Sequence, residues 1–330
     1  MLILKYKNIF LMISLVACAI AAICIFAFGF KKSIDFTGGA KVVFSVKGSQ
    51  WQTYPDESTI RPQDLWSFRQ DKLKGINKMT LMAPPPTQTE IENSLTKSFG
   101  ENKLTKTGVD TYSVTLRDLK EEDYPKLQSV LAGNASSTVE IKEFAMTGPS
   151  ISSEIVSKSI LGFFLVIFAI GIFIWFAFRG VSYPVSSWKY GIIIIITLVH
   201  DMIIPAGVFA WLGHYRGIEV DALFVVAILT ILGISISDTI VIFDRVRENL
   251  KGASKNASFE DVVGKSLNQS LVRSIATSMA VIIVLLCLVF FGPDSTKYFA
   301  ITLTIGMFVG TYSSIFFASP LLVLVSKYWK

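Results

Sequence analysis

The sequence predicts a polytopic α-helical membrane protein, with six transmembrane helices and one soluble α+β domain inserted between the first two. Hydrophobic residues make up 52% of the chain and charged residues only 17%, whereas soluble domains carry about 25% charged residues. The apolar residues are concentrated in long runs, while residues 31–158 have the balanced charge of an ordinary soluble domain. Lys and Arg are also distributed unequally among the loops.

Six apolar segments are long enough to cross a membrane, because a hydrocarbon core about 30 Å thick needs about 20 residues as a helix. They are Ile9–Phe30, Ile160–Phe178, Tyr190–Leu212, Ala222–Phe243, Leu271–Phe291 and Phe299–Val325. The first is expected to be a retained anchor, since its apolar run is longer than that of a typical cleaved signal peptide. Residues 1–30 then form the first transmembrane helix, residues 31–158 the soluble domain and residues 159–330 a five-helix membrane domain.

Basic residues in the short loops predict the orientation, because positively charged loops stay in the cytoplasm. With a cytoplasmic N-terminus, eleven basic residues flank the cytoplasmic side: Lys5, Lys7, Arg179, Lys189, Arg245, Arg247, Lys251, Lys255, Lys265, Lys327 and Lys330. Only Arg216 and Lys297 fall in the opposite short loops. The count predicts that both termini are cytoplasmic and that the soluble domain is extracytoplasmic. The net charge of +6 then reflects topology and gives little reason to expect nucleic-acid binding.

Short apolar patterns predict the fold of the soluble domain. Runs rich in β-branched residues indicate three strands, and apolar residues at helical spacing indicate two helices. In chain order these are strand Lys41–Val46, helix Thr89–Phe99, strand Thr111–Leu116, helix Glu121–Leu131 and strand Thr138–Phe144. The order is typical of a small α+β domain of the ferredoxin-like kind, with helices on one face of a sheet. Gln50–Pro86 is interpreted as an insertion that ends in a polyproline-like linker.

Catalytic and metal-binding chemistry is not expected. The three cysteines, Cys18, Cys24 and Cys287, all lie inside predicted spans, so they form neither a disulfide framework nor a set of metal ligands. Residues 31–158 contain no His and no Cys, which removes most hydrolytic and metal chemistry from the soluble domain. The sequence therefore predicts no catalytic residue, no metal and no cofactor.

Ionisable side chains inside the spans are the candidate functional residues, because they are costly in lipid and mark ion or proton pathways. His200 and Asp201 lie near the middle of the third span, Asp238 in the fourth and Arg273 early in the fifth. At 1.5 Å per residue, Asp238 is about 8 Å from the cytoplasmic end of its span and Asp201 about 16 Å. The similar depth of Arg273 allows an ion pair with Asp238. Gly233, Ser235 and Ser237 would permit close helix packing and supply hydroxyls to the carboxylate.

Simpler interpretations of the same residues remain open. Arg273 can extend to the membrane interface, as long basic side chains do near helix ends. His200 and Asp201 can form a purely structural hydrogen-bonded pair. Asp244 and Arg245 sit at the membrane edge, where a solvated charged turn is the simpler account.

Several motifs resemble those of the SecD/SecF family. The residues just after the first span, which look like the family's D-F-T-G-G signature, are Asp35, Phe36, Thr37, Gly38 and Gly39. The stretch 235–249 resembles S-x-N-D-T-x-V-x-F-D-R-x-R-E-N, with Ser237 where Asn is usual. Residues 267–278 are similar to the family's N-Q-T-L-x-R-T-x-x-T-S, and 199–201 and 310–321 match patterns of the third and last spans.

The resemblance implies an accessory subunit of the general secretion translocon in the cell inner membrane, with a periplasmic domain. Such a subunit pairs with SecD in a unit of the resistance-nodulation-division type and uses the proton motive force to promote export of preproteins through SecYEG, with YajC and YidC as further partners. It is not an enzyme and needs no cofactor, since the proton gradient is the energy source. The implied proton relay comprises Asp238, Arg273 and Asp201, with supporting roles for His200, Ser237, Asp244 and Arg245.

Two other functions fit parts of the sequence. A passive translocon assembly or scaffold protein would have the same spans without proton coupling. An intramembrane aspartyl protease would use Asp201 and Asp238 as a dyad, but it needs both carboxylates at one depth, and the counted depths differ by about 8 Å. The G-x-G-D pattern of such proteases is also missing, since Ile236 and Ser237 precede Asp238.

Overall fold

The structure is a computed structural model that describes residues 2–47, 87–100, 102–106, 111–117, 119, 121–132, 138–177, 185–253 and 257–328. The chain divides into two compact units. The membrane unit comprises residues 1–36 and 154–330, and the sheet unit comprises residues 37–153. The insertion expected at Gln50–Pro86 lies outside the described residues.

Helices account for nearly all of the membrane unit. In chain order they are α1 (Leu2–Lys5), α2 (Lys7–Phe28) and α3 (Ile34–Thr37), then, after the helices of the sheet unit, α6 (Pro149–Ala177), α7 (Ser187–Arg216), α8 (Ala222–Lys251), α9 (Phe259–Phe291), α10 (Asp294–Ser313) and α11 (Ser319–Tyr328). A π-helical segment, Ser314–Ala318, joins α10 to α11 into one span. Among the described residues, six helices are therefore long and apolar enough to cross a membrane, which confirms the predicted number.

Two of these helices are longer than their apolar runs. The helix α8 continues past the predicted end at Phe243 to Lys251, and α9 begins at Phe259 instead of Leu271. Hydropathy detects only the part of a helix that suits lipid, whereas the backbone stays helical until a cap ends it. At α9 the cap is Ser258, whose side chain accepts a hydrogen bond from the backbone N–H of Asp261 at 3.1 Å.

The inner helices of the membrane unit are α7, α8 and the last span. In each of them, about half of the residues in the most apolar stretch are buried. The helices α2, α6 and α9 bury far less and present most of their large apolar side chains outward. Apolar residues packed between the inner helices include Ile194, Leu232, Ile236 and Leu322. A polar side chain in the buried part of an inner helix is therefore removed from both lipid and water, and it needs hydrogen-bond partners within the protein.

The sheet unit is a four-stranded antiparallel sheet with two helices. Its elements are β1 (Gly39–Lys47), α4 (Gln88–Phe99), β2 (Asn102–Lys106), β3 (Thr111–Leu116), α5 (Tyr124–Ala132) and β4 (Thr138–Thr147), and the sheet order is β2-β3-β1-β4. This βαββαβ arrangement is the ferredoxin-like one. Helix residues Leu95 and Leu127 pack with Val42 and Phe44 of β1 in its core. The sequence prediction missed β2, because this edge strand buries only Leu104 and carries no apolar alternation.

Candidate functional site: buried carboxyls among the inner helices

Asp201 lies on α7 and is completely buried, with hydrogen-bonding side chains around its carboxyl group. Ser313 of α10 donates to Oδ2 at 2.7 Å, and Ser235 of α8 donates to the same oxygen. The Nδ1 atom of His200 lies 2.8 Å from Oδ1. An ionised carboxylate only accepts hydrogen bonds, and the two serine hydroxyls and the Nδ1–H tautomer of His200 can all donate to it. The group thus connects three inner helices at one point.

The π-helical segment of the last span lies at this same point. The Ser314 hydroxyl pairs with that of Thr239 at 3.0 Å, and the ring of Phe317 stacks on His200 with centroids 4.8 Å apart. The Nε2 atom of His200 is buried and has no hydrogen-bond partner among the described residues. Single π-helical turns inside α-helices occur frequently at functional sites. Here Ser314 of the wider turn contacts α8 and Phe317 contacts α7.

Asp238 lies one turn after Ser235 on α8 and is half-buried. Its Oδ2 atom accepts a hydrogen bond from Ser278 of α9 at 3.2 Å. Both Ser235 and Asp238 line a narrow cleft between α8 and α10, closed on the other side by Gly306 and Gly310. Asp238 thus lines the cleft directly, whereas Asp201 is joined to it through the hydroxyl of Ser235.

The ion pair expected between Asp238 and Arg273 is not formed. Among the described residues, no ion pair joins these two side chains, and Arg273 is exposed on α9. The buried face of α9 is a row of serines with a spacing of four, Ser266, Ser270, Ser274 and Ser278. One residue before Ser274, Arg273 lies about 100° away from this row. Helix phase therefore presents a serine, and not the arginine, to Asp238.

The depth difference counted from the sequence was also wrong. From the sequence, Asp238 was counted about 8 Å and Asp201 about 16 Å from the cytoplasmic end of their apolar runs. The contact between Ser235 and Asp201 places the two carboxylates within about one helical turn in depth. They nevertheless accept from separate serines, and among the described hydrogen bonds none joins them. The two aspartates therefore differ from a dyad that shares a proton because their carboxyl groups have separate hydrogen-bond partners, and not because they lie at different depths.

The predicted supporting residues fall into two groups. His200 is part of the Asp201 cluster, whereas Ser237 is exposed and the hydroxyl on Asp238 comes from Ser278. Asp244 pairs with Arg247 at 3.1 Å and Arg245 with Glu248 at 2.7 Å, all within one charged turn of α8. These two pairs fit the solvated turn better than a role in the cluster. In the part of the chain that the structure describes, no three His, Cys, Asp or Glu side chains are grouped to hold a metal ion.

Two partners of the carboxylates, Ser278 and Ser313, were not singled out from the sequence. Both stand inside stretches that resemble the family, at the end of 267–278 and within 310–321. The signal was present, but serine is common in transmembrane helices and its partner depends on helix phase. The signature residues lie elsewhere: Asp35 contacts the N-terminus of α8, while Gly38 and Gly39, at positive φ, lead into β1.

Comparison with known proteins places this arrangement in a family. Residues 126–328 match the family described as protein export membrane protein SecD/SecF, C-terminal. The protein translocase subunit SecF of Thermobaculum terrenum is 38% identical over 325 residues, which cover 97% of this chain and 92% of the relative. The protein translocase subunit SecDF of Thermus thermophilus is 31% identical over 312 residues, which cover 94% of this chain and 36% of the longer protein.

A solved structure extends the match to three dimensions. The crystal structure of SecDF from Thermus thermophilus, described as a translocon-associated membrane protein, aligns with a TM-score of 0.74 at 27% identity, covering 98% of this chain and 38% of that chain. The resemblance seen in the motifs is confirmed, and with six apolar helices the chain is a multi-pass inner-membrane protein of the Sec protein-transport pathway. This chain belongs to the SecD/SecF family of protein export membrane proteins, as a subunit of the SecF type.

Proposed function

We propose that this protein uses the proton motive force, together with SecD, to promote protein export across the inner membrane, and that Asp201 and Asp238 are its proton-accepting groups. The observation that carries the proposal is the complete burial of Asp201 among donors from three inner helices. Ionisable groups inside spans are rare, and by default they indicate a functional pathway. A proton that crosses a potential of 100 mV releases about 2.3 kcal/mol, enough to bias a two-state rearrangement.

Protonation of Asp201 would act on helix packing. Hydrogen bonds to an ionised acceptor are about twice as strong as neutral ones, so uptake of a proton weakens the hold of Asp201 on Ser235 and Ser313. The helices α7, α8 and α10 are then free to adopt a second arrangement. Because Asp238 follows Ser235 by one turn of α8, the same change moves Asp238 in the cleft.

The exposure of Arg273 supports a partner subunit beside α8 and α9. Ser237, Arg273 and Thr277 are all exposed on these two spans, and polar or charged side chains that face lipid within a span are costly. A second membrane subunit that covers this face removes the cost and supplies counter-charges. Relatives from Thermus thermophilus and Brucella abortus are SecDF proteins, which favours SecD as that subunit. We assign Arg273 its part in the proton relay within this complex.

The remaining parts of the proposal follow from topology and family. The excess of basic residues on one side supports cytoplasmic termini and a periplasmic sheet unit. The SecYEG translocon, YajC and YidC are the proposed further partners, and preproteins are the substrates. The proton gradient is the energy source in place of any bound cofactor.

Export into inner-membrane vesicles, with and without an imposed proton gradient, tests the proposal. Asp238→Asn and Asp201→Asn keep the shape of each side chain and remove its ability to gain and lose a proton. Both variants should assemble with SecD but lose the gradient-dependent part of export. The matched control is Asp294→Asn, an exposed aspartate in the first turn of α10, which should behave as wild type. Full gradient-dependent stimulation in Asp238→Asn, at normal amounts of complex, would leave the passive scaffold as the better account.

A further inference from the structure

We propose that Asp35 of the signature motif is a positioning residue that fastens the chain leading into the sheet unit to the first turn of α8, the helix that carries Asp238. The inference rests on the proposed function, because it concerns how a change at Asp238 reaches the sheet unit. Four observations support it: a side-chain contact, a backbone pairing, an aromatic contact and a short connection.

The side-chain contact joins residues far apart in sequence. The Oδ2 atom of Asp35 accepts a hydrogen bond from the backbone N–H of Ala222, the first residue of α8, at 3.0 Å. The helix already has its own cap, since the side chain of Asp221 accepts from the N–H of Phe224 at 2.8 Å. One N-cap residue suffices to begin a helix, so α8 does not need Asp35 in order to form. The Asp35 carboxylate instead joins the start of α8 to the segment that follows the first span.

The backbone just before Asp35 is paired with the chain just before α8. The N–H of Val220 donates to the carbonyl oxygen of Lys31 at 2.6 Å, and the N–H of Ser33 donates to that of Val220 at 2.9 Å. The Ser33 hydroxyl in turn accepts from the N–H of Asp35 at 3.2 Å. These bonds form a parallel bridge at Lys32. These bonds hold the backbone of residues 31–35 beside the residues that lead into α8.

Aromatic packing holds the next residue against the same helix end. Phe36 packs against a cluster that includes Phe209 and Phe224, and the rings of Phe30 and Phe224 lie 6.0 Å apart. Asp35 and Phe36 are thus fixed to the first turn of α8 by a charged hydrogen bond and by apolar contact.

The connection from this point into the sheet is short, and its backbone conformation requires glycine. Only Thr37 and Gly38 separate Phe36 from Gly39, where β1 begins. Gly38 has φ +75° and Gly39 φ +114°, and a Cβ atom at Gly39 would lie 2.5 Å from the carbonyl oxygen of Leu116. Other residues rarely adopt such φ values. Because β1 pairs with both β3 and β4, a displacement of the first turn of α8 is transmitted through two residues to the centre of the sheet.

Two matched alanine variants test the inference in vesicles that contain the full complex. Asp35→Ala and Asp221→Ala each remove one carboxylate from the first turn of α8. Asp35→Ala should lose the gradient-dependent part of export and keep the gradient-independent part, whereas Asp221→Ala should keep both. The conservative Asp35→Asn retains an acceptor oxygen and should restore most of the stimulation. A fluorophore attached through Glu92→Cys on α4, in a background without the native cysteines, should respond to the gradient in Asp221→Ala but not in Asp35→Ala.

An insertion provides a second variant that leaves Asp35 and its contacts unchanged. Gly-Gly-Ser inserted after Thr37 lengthens the connection and should abolish the stimulation, while the same insertion after the exposed Gly252 should not. Equal losses in Asp35→Ala and Asp221→Ala would reduce Asp35 to a helix cap and overturn the inference, as would full stimulation in the Thr37 insertion. If Asp238→Asn keeps its stimulation, the proposed function fails and the inference fails with it. If Asp238→Asn loses it and Asp35→Ala keeps it, the inference alone is wrong.

Discussion

The hydrogen bond from Ser235 to Asp201 allows the charge of the buried carboxyl to be measured through stability. Ser235→Ala removes one donor and retains the Cβ atom. This Cβ atom faces Gly310 closely, since a Cβ atom added at Gly310 would lie 3.2 Å from it. Packing between α8 and α10 is therefore preserved, and the lost hydroxyl is the main change. Ser235 is the cleaner choice over Ser313, because the Ser313 hydroxyl also lies 3.0 Å from the carbonyl oxygen of Gly310.

The expected size of the effect depends on what Ser235 donates to. A hydrogen bond to a charged group contributes about 1.5–3 kcal/mol to stability. A polar contact between transmembrane helices contributes on average only about 0.6 kcal/mol. The three donors around Asp201 suit a carboxylate, so we expect Ser235→Ala to lower the free energy of unfolding by about 1.5–3 kcal/mol. In the Asp201→Asn background the same substitution should cost about 0.6 kcal/mol.

Reversible unfolding of the full chain in mixed detergent micelles measures these differences. The matched control is Ser274→Ala, since Ser274 is 2% exposed on α9 and its hydroxyl has no partner among the described residues. That variant should leave the free energy of unfolding nearly unchanged. A cost for Ser235→Ala no larger than that of Ser274→Ala, or an equal cost with and without the Asp201 carboxyl, would refute the reasoning.

Three further predictions concern packing, topology and the sheet unit. Gly306→Ala should lower the free energy of unfolding by about 1–3 kcal/mol, because the added methyl group would overlap the Ile231 side chain. Gly233 has open space around it, so Gly233→Ala should leave the free energy of unfolding nearly unchanged. Equal effects of the two substitutions in the same micelle assay would contradict this prediction. A reporter fused after Gly133 should be active only when exported and one after Gly252 only in the cytoplasm, and the reversed pattern would overturn the proposed topology. The sheet unit expressed alone should be soluble, with mixed helix and strand by circular dichroism, and a random-coil spectrum would show that it needs the membrane unit.

The number of spans was predictable from the sequence, and the helix ends were not. Hydropathy responds to twenty apolar residues in a row, which is a property of composition alone. The ends of α8 and α9 lie instead in charged segments outside the apolar runs, where α8 ends at Lys251 and α9 begins after the N-cap Ser258. The depth difference between Asp201 and Asp238 was overestimated for a related reason, because each count began at the end of an apolar run and took no account of how α7 and α8 are shifted along each other.

Strand prediction failed where packing carries no local signal. The strands β1 and β3 alternate β-branched and apolar residues, and both were found. The strand β2 reads Asn-Lys-Leu-Thr-Lys and buries only Leu104, so its strand conformation comes from pairing with β3 and not from its own residues. Edge strands of this kind are charged because a polar edge resists pairing with other chains.

The candidate carboxylates were predictable as residues, but their partners were not, because a partner depends on how three helices are rotated against each other. Ser235 and Asp238 are three residues apart, so their side chains lie about 60° apart on α8 and one turn apart in height. One faces Asp201 of α7, and the other faces Ser278 of α9. A single rotation of α8 cannot alter one contact and leave the other unchanged. The two carboxyl groups are therefore linked through the rigid backbone of one helix, and under the proposed function we expect the protonation of either to change the hydrogen bonding of both.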